Sequence, residues 1–232
     1  MDTLVINEIH DFDHLKEYLK RPIKPKKIYK IMSKYDFERS RNNNYLFFNR
    51  IDRYPDKNDG LQLLQDSKGN KKSTFEKNPN FNWYDHLNNI RKATFACCFS
   101  TIENKEYKKD YGSQDESGKV LLTINLSNFL KSLQDLRCNN SIPLDNQIYL
   151  CFSMIRYVDW NNCRINKREL QNYISYVFIK DKENWKHEKE FRLVLLPNPL
   201  AINTYNKYDS LFLKYDINKA VRDKIIESIL VC

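Results

Sequence analysis

Only four glycines, Gly60, Gly69, Gly112 and Gly118, are spread through the 232 residues. Backbone that must approach a phosphate closely is normally built from glycine. No G-x-G-x-x-G occurs, which excludes a doubly wound dinucleotide-binding sheet. The nearest approach to a P-loop is Gly112-Ser-Gln-Asp-Glu-Ser-Gly118-Lys119-Val120. It has one residue too many between its glycines, and Val120 stands where a Mg²⁺-binding hydroxyl belongs. Any nucleotide bound here is held without a glycine-rich cradle.

Fifteen Tyr, thirteen Phe and three Trp nevertheless imply a packed core, because disordered chains lack large apolar side chains. A chain of this length buries roughly 70 % of its unfolded surface, so one domain over 1–232 is expected. Thirty-nine basic residues against thirty acidic ones leave a net charge of +9. Six of the basic residues (Arg21, Lys24, Lys26, Lys27, Lys30 and Lys34) fall in one stretch without an acid. Lys24–Lys34 therefore suits an anionic partner, either a nucleic-acid backbone or the phosphates of a dinucleotide; a solvated basic arm fits the same residues.

No run approaches the ~18 apolar residues of a membrane-spanning helix, so no membrane contact is expected. Met1-Asp2-Thr3-Leu4 lacks the basic and apolar regions of a secretory signal, which predicts a cytoplasmic protein. The six cysteines contain no C-x-x-C and no close pairing with histidine, so free buried thiols are expected rather than a zinc site. Cys97 and Cys98, adjacent in an apolar run, point to opposite faces of a strand.

The pattern along the chain predicts an α+β fold: one mixed or antiparallel central sheet flanked by helices. A helix with Asp11 at its N-cap is expected over 11–20, and an N-terminal helix and basic arm over 1–26. Strands are expected at Ile28–Ile31, Tyr45–Phe48, Ala93–Phe99, Val120–Ile124, Ile148–Tyr157, Phe191–Leu196, Leu211–Tyr215 and Ser228–Cys232. Residues 49–82 read as a long polar loop or insertion. Helices are expected at 103–110, after Asn125 or Ser127, at Lys167–Tyr176 and at Ile217–Glu227.

The most chemically informative stretch is Trp185-Lys-His-Glu188-Lys-Glu190-Phe-Arg192-Leu-Val-Leu-Leu-Pro197. A strand entered near Glu188 places Glu188, Glu190 and Arg192 on one face, with the carboxylates about 7 Å apart. Two such carboxylates can divide labour, one ionised beside a cationic transition state and the other orienting a nucleophile. Arg192 would keep at least one of them ionised. The same residues also fit an ordinary charge ladder at the wet end of a strand. Ser100, leaving the Cys98-Phe99-Ser100 strand, either offers its hydroxyl to a ligand or caps the following turn. A metal-dependent nuclease built on Asp56 with Glu103-Asn104-Lys105 is a third possibility from the sequence.

Taken in order, these segments resemble the bacterial family named domain of unknown function 2971. The resemblance rests on Tyr29-Lys30, Tyr45-Leu-Phe-Phe48, Asn58-Asp59 with Gly60 in place of a proline, Cys98-Phe99-Ser100, Tyr111-Gly112 before Val120–Ile124, and Trp185 through Arg192. It covers roughly residues 27 to 232. Lys108-Lys109-Asp110-Tyr111 keeps only the tyrosine of the family's Met-Trp-Ser-His-Tyr. The same order is similar to the ADP-ribosyltransferase pattern of a first-strand Arg or His, a Ser-Thr-Ser-like strand, and Glu-x-Glu opening a later strand. Lys30 here replaces the Arg or His.

That resemblance implies an ADP-ribosyltransferase-like fold using NAD as substrate without a metal, of the kind found in toxins, effectors and defence proteins. It implies Glu190 and Glu188 as catalytic residues and Tyr29, Lys30, Ser100, Tyr111 and Arg192 as ligand-binding residues. The acceptor of ADP-ribose, protein or nucleic acid, stays open, as does simple hydrolysis of NAD. The alternative is a non-enzymatic nucleic-acid- or partner-binding module that uses the basic segment.

Overall fold

Apart from Arg192, Phe191–Leu196 is apolar on both faces of an extended chain, and such a segment is stable only between neighbouring strands with both sheet faces covered. The computed structural model, which describes residues 3–12, 25–54, 56, 59–60, 83–103, 118–138, 143–159 and 176–231, has it so. In chain order its elements begin with β1 (Thr3–Ile6), β2 (Asp11–Phe12), β3 (Lys27–Ser33), α1 (Lys34–Asn43) and β4 (Tyr45–Arg50). Next come α2 (Trp83–Lys92), β5 (Phe95–Ser100), β6 (Lys119–Asn125), α3 (Leu126–Gln134), β7 (Ile148–Met154) and β8 (Arg156–Val158). The remainder are β9 (Ile179–Asp181), α4 (Lys182–Trp185), β10 (Glu190–Pro197), α5 (Ile202–Tyr205), β11 (Ser210–Lys214), α6 (Ile217–Arg222) and β12 (Ile226–Val231).

The architecture is α+β with a mixed central sheet of ten strands. Its main path runs β1-β11-β4-β5-β10-β7-β2, with parallel pairing only at β1/β11 and β2/β7. A second branch, β3-β6-β12, also leaves β5. One edge of β5 is taken along its length by β10. The other edge is divided: β3 meets it only at Tyr29↔Ser100, and β4 only at Asn49↔Ala96 and Arg50↔Phe95. The sheet therefore forks, and α1, which joins β3 to β4, bridges the two arms. Strands β8 and β9 form a separate parallel pair.

Side-chain alternation divides the core in two. Phe191, Leu193 and Leu195 pack with Phe99, Phe129 and Phe152 on one face of the sheet. Val194 and Leu196 pack with Ala96, Cys151, Phe178 and Ile179 on the other. Cys97 belongs to the first cluster and Cys98 lies against the second, as their adjacency in a strand requires. Capping fixes the helices on the first face. Ser33 Oγ accepts from Asp36 N (2.9 Å) and donates to Asp36 Oδ2 (2.8 Å) at the start of α1. Asn125 accepts from Asn128 N and starts α3, as expected from sequence.

Several elements differ from the sequence expectation. Asp11–Phe12 extend parallel to β7 instead of opening a helix; the rest of 13–24 lies outside the described residues. Asn49 and Arg50 still belong to β4, so strand pairing with β11 extends into the region read as a loop. Helix α2 was not expected at all. The single strand expected over Ile148–Tyr157 breaks at Ile155, whose N–H turns to Glu190 O, while Arg156 N turns to Phe178 O. The helices expected at 103–110 and Lys167–Tyr176 fall almost entirely outside the described residues. Among those residues, no helix is long and apolar enough to cross a membrane.

Helix α6 stops at Arg222 rather than at Glu227 because the chain closes a Schellman turn. Ile225 N donates to Ala220 O (2.9 Å) and Lys224 N to Val221 O (3.2 Å), with Lys224 at φ +54°. A residue with a Cβ in this conformation is strained by about 1 kcal/mol. Lys224→Gly is therefore expected to leave the fold intact and raise stability by a few tenths to about 1 kcal/mol, the relief being partly offset by the freer unfolded chain. Urea unfolding midpoints of the two proteins check this.

Candidate functional site

The fork in the sheet determines which side chains meet. Tyr29 on β3 is paired with Ser100 on β5, and Ser100 is paired with Glu190 on β10. Paired residues share a sheet face, so Tyr29, Ser100 and Glu190 form one row across three adjacent strands. All three line a cavity of about 440 Å³ that occupies the fork, together with Lys30, Cys98, Tyr54 and Glu188. Away from this row the walls become apolar, with Phe37 of α1, Leu46 of β4, Phe99 of β5 and Leu122 of β6.

Where β5 has no strand on its forked edge, a cation substitutes for one. Lys30 Nζ donates to Cys98 O at 2.9 Å and sits 5.3 Å from the centre of the Phe99 ring. A charge-assisted hydrogen bond thus satisfies a carbonyl that would otherwise lack a ladder partner. Nearby, Tyr54 Oη donates to Ala96 O at 2.8 Å. Lys30 is therefore a wall of the cavity and not part of a basic arm. Lys27 is likewise committed, to Glu227 at 2.7 Å. Lys26 and Lys34 are exposed, and Lys24 lies outside the described residues.

Glu188 and Glu190, which also line the cavity, belong to a buried charge cluster. Arg192, with no exposed surface, donates from Nε to Glu190 Oε1 (2.7 Å) and through both terminal nitrogens to the Asp59 carboxylate (2.9 Å each). Its Nη1 also donates to Val177 O at 2.7 Å. Lys180 Nζ lies 2.7 Å from Glu188 Oε2, 2.7 Å from Glu190 Oε2 and 3.9 Å from Asp59 Oδ2. The contact with Glu190 Oε2 is an ion pair without regular hydrogen-bond geometry, and that oxygen is closed to solvent. Three carboxylates against two cations leave the cluster with one excess negative charge.

Burial alone would raise the Glu190 carboxyl, but Arg192 and Lys180 outweigh it and hold Glu190 well below the ordinary carboxylate range. The Cys98 thiol is pushed far up, by burial first and by the Glu190 charge second, so it is no nucleophile near neutrality. Tyr157, whose hydroxyl accepts from Glu190 N at 2.9 Å, is raised by burial and by the same carboxylate.

The residues expected from sequence reach these positions by routes that differ in part. Glu188 does not lie on a strand. It ends a short 3-10 turn, Lys186–Glu188, and Lys189 follows at φ +46° before β10 begins at Glu190. The left-handed residue reverses the local alternation, and Glu188 meets Glu190 through Lys180 instead of along a shared strand face. Ser100 Oγ shares its hydrogen between Ile102 O (2.9 Å) and Glu188 O (3.3 Å) and accepts from Ile102 N (3.2 Å). It caps the turn after β5 while lining the cavity. Arg192 is not on the cavity wall; every nitrogen of its guanidinium is spent inside the charge cluster. Tyr111 falls outside the described residues. Asp56 is buried and Glu103 exposed, Asn104 and Lys105 are not described, and no group of three His, Cys, Asp or Glu among the described residues is arranged to hold a metal.

Sequence reading missed Lys180, Tyr54 and Tyr157, and gave Asp59 no role beyond the family resemblance. A lysine directly after the apolar run Tyr176-Val-Phe-Ile179 was the available signal, since a buried ammonium there needs carboxylate partners. No protein-family model matches the chain, and neither a curated protein nor a solved structure matches it. Function is therefore argued from the site.

Removing one partner of a buried ion pair leaves an uncompensated charge. Asp59→Ala is expected to cost about 3–5 kcal/mol of stability, measured by urea unfolding. Because the Glu190 carboxyl is depressed on folding, its contribution is complete above its unfolded value near 4.5 and is lost as pH falls towards its folded value. The acid slope of stability below pH 4.5 is expected to be shallower in Glu190→Gln; parallel slopes for the two proteins would contradict the assignment.

Proposed function

We propose that this chain is an NAD-dependent ADP-ribosyltransferase-like enzyme, related to the domain of unknown function 2971 family, that cleaves the nicotinamide–ribose bond. The observation that carries the reading is the row Tyr29–Ser100–Glu190 lining one cavity with Lys30 and Glu188. The residues that resemble the transferase pattern lie far apart in sequence, and they meet on three neighbouring strands. The forked sheet supports an ADP-ribosyltransferase-like fold as the finer description of the α+β architecture.

The electrostatics support the same substrate. NAD carries a cationic nicotinamide ring and an anionic pyrophosphate. The cavity is lined by Lys30 and by Glu188 and Glu190 of the cluster with its excess negative charge, so it offers partners of both signs to the dinucleotide. In the reaction the C1′–N1 bond breaks and its electron pair goes to the ring nitrogen, releasing neutral nicotinamide. Positive charge develops on the ribose, and Glu190, held ionised, stabilises it. A nucleophile on the acceptor, or water, then bonds to C1′ and loses its proton to Glu188. Lys30 binds phosphate, and Tyr29 stacks on the nicotinamide. The competing reading, nucleic-acid binding through Lys24–Lys34, loses support because Lys30 is turned to the Cys98 carbonyl in the cavity wall and Lys27 pairs with Glu227 at the surface.

Incubation with NAD is expected to release nicotinamide, and Glu190→Gln to abolish the release; release that persists in this variant overturns the assignment. Lys30→Met is expected to raise KM for NAD roughly tenfold or more, the worth of a charge-assisted contact, with kcat little changed.

A further inference from the structure

We infer that Lys180 is the positioning residue of this site, its single ammonium holding Glu188 and Glu190 as one unit. The inference rests on the transferase reading for what the two carboxylates do, and on geometry for how they are held. Lys180 sits on β9, 6 % exposed, between the two core clusters' edge and the turn that carries Glu188. Its Nζ is 2.7 Å from one oxygen of each glutamate, so those oxygens lie within about twice that distance of each other. Two bare carboxylates that close could not both stay ionised.

Among the described residues, the groups around this ammonium belong to the cluster and its immediate neighbours. Asp59 is 3.9 Å away, Arg192 lies behind Glu190, the Trp185 ring centre is 5.1 Å from Nζ, and Tyr157 and Cys98 flank Glu190. Lys180 reaches both glutamates, and Arg192 adds a second cation at Glu190. With both carboxylates held at one ammonium, their separation and orientation are fixed together. The positive φ of Lys189 serves the same end, because it turns both neighbouring side chains towards one ammonium.

The test is a pair of readouts on the full chain, for wild type, Lys180→Met and Lys180→Arg. Carboxylate titration by ¹³C NMR needs no substrate: the Glu190 midpoint is expected to rise by at least one pH unit in Lys180→Met and to return towards wild type in Lys180→Arg. An unmoved midpoint overturns the clamp. In the NAD assay, kcat of Lys180→Met is expected to fall tenfold or more with KM within threefold, its acid limb displaced to higher pH, and Lys180→Arg to recover part of the rate. A raised KM with unchanged kcat would make Lys180 a ligand-binding residue and overturn the inference. If wild type releases no nicotinamide, the transferase reading fails, while the titration still decides the clamp. Should Lys180→Met not fold, the Lys180 Nζ resonance of wild type is followed instead; it must respond as the glutamates titrate, and a silent resonance contradicts the clamp.

Discussion

The Asp59–Arg192–Glu190–Lys180–Glu188 cluster is the interaction on which the site depends. A guanidinium with no exposed surface in the central strand of a ten-stranded sheet is an expensive placement, tolerable only if each donor is satisfied and the charge is matched. Arg192 meets both conditions through Asp59, Glu190 and the Val177 carbonyl. Doing so ties three segments to one point: the chain around residue 59, residues 177–180 leading into β9, and the turn and strand at 188–192. Replacing this network with apolar side chains would serve stability at least as well. Its presence is better explained by what it presents to the cavity, a carboxylate kept ionised in a site that otherwise disfavours charge.

The fork in the sheet is the second constraint, and it is coupled to the first. Because β3 and β4 share one edge of β5 without covering it, the backbone near Cys98 is open to the cavity and is met by Lys30. Lys30 and two carboxylates of the cluster then line the same cavity, whose remaining walls are mainly aromatic and aliphatic, the usual composition of a small-molecule site with few, directed polar groups.

Much of this was legible in the sequence, and the reasons for the rest are physical. Ala93–Phe99 read as a buried central strand and Phe191–Leu196 as a strong strand from their apolar patterns, and both lie in the central sheet as Phe95–Ser100 and Glu190–Pro197. The convergence of Tyr29, Ser100 and Glu190 was anticipated only through family resemblance, since strand neighbours cannot be read from spacing. The route of Glu188 was misread: alternation predicts a shared face, and a single left-handed residue at Lys189 cancels it. Lys180 was missed because periodicity arguments assign lysines to the surface, and the charged Asp181-Lys182-Glu183 that follows it hides the message of the apolar Tyr176–Ile179 before it. Helix α6 was read as too long because nothing in Asp223-Lys224-Ile225 resembles the glycine that usually marks a Schellman turn. The early scarcity of glycine kept its meaning, since the cavity uses a lysine and a sheet edge where a glycine-rich loop is absent.

The central claim is that one cavity, in the fork of the sheet, receives NAD with its cationic end at Glu190 and its phosphates at Lys30. A crystal structure of the chain with a non-cleavable NAD analogue tests it most directly. The account predicts the ribose that bears nicotinamide within hydrogen-bonding reach of Glu190, and the pyrophosphate within reach of the Lys30 ammonium. An analogue seated elsewhere, or reversed in the cavity with its phosphates against the carboxylate cluster, would contradict it.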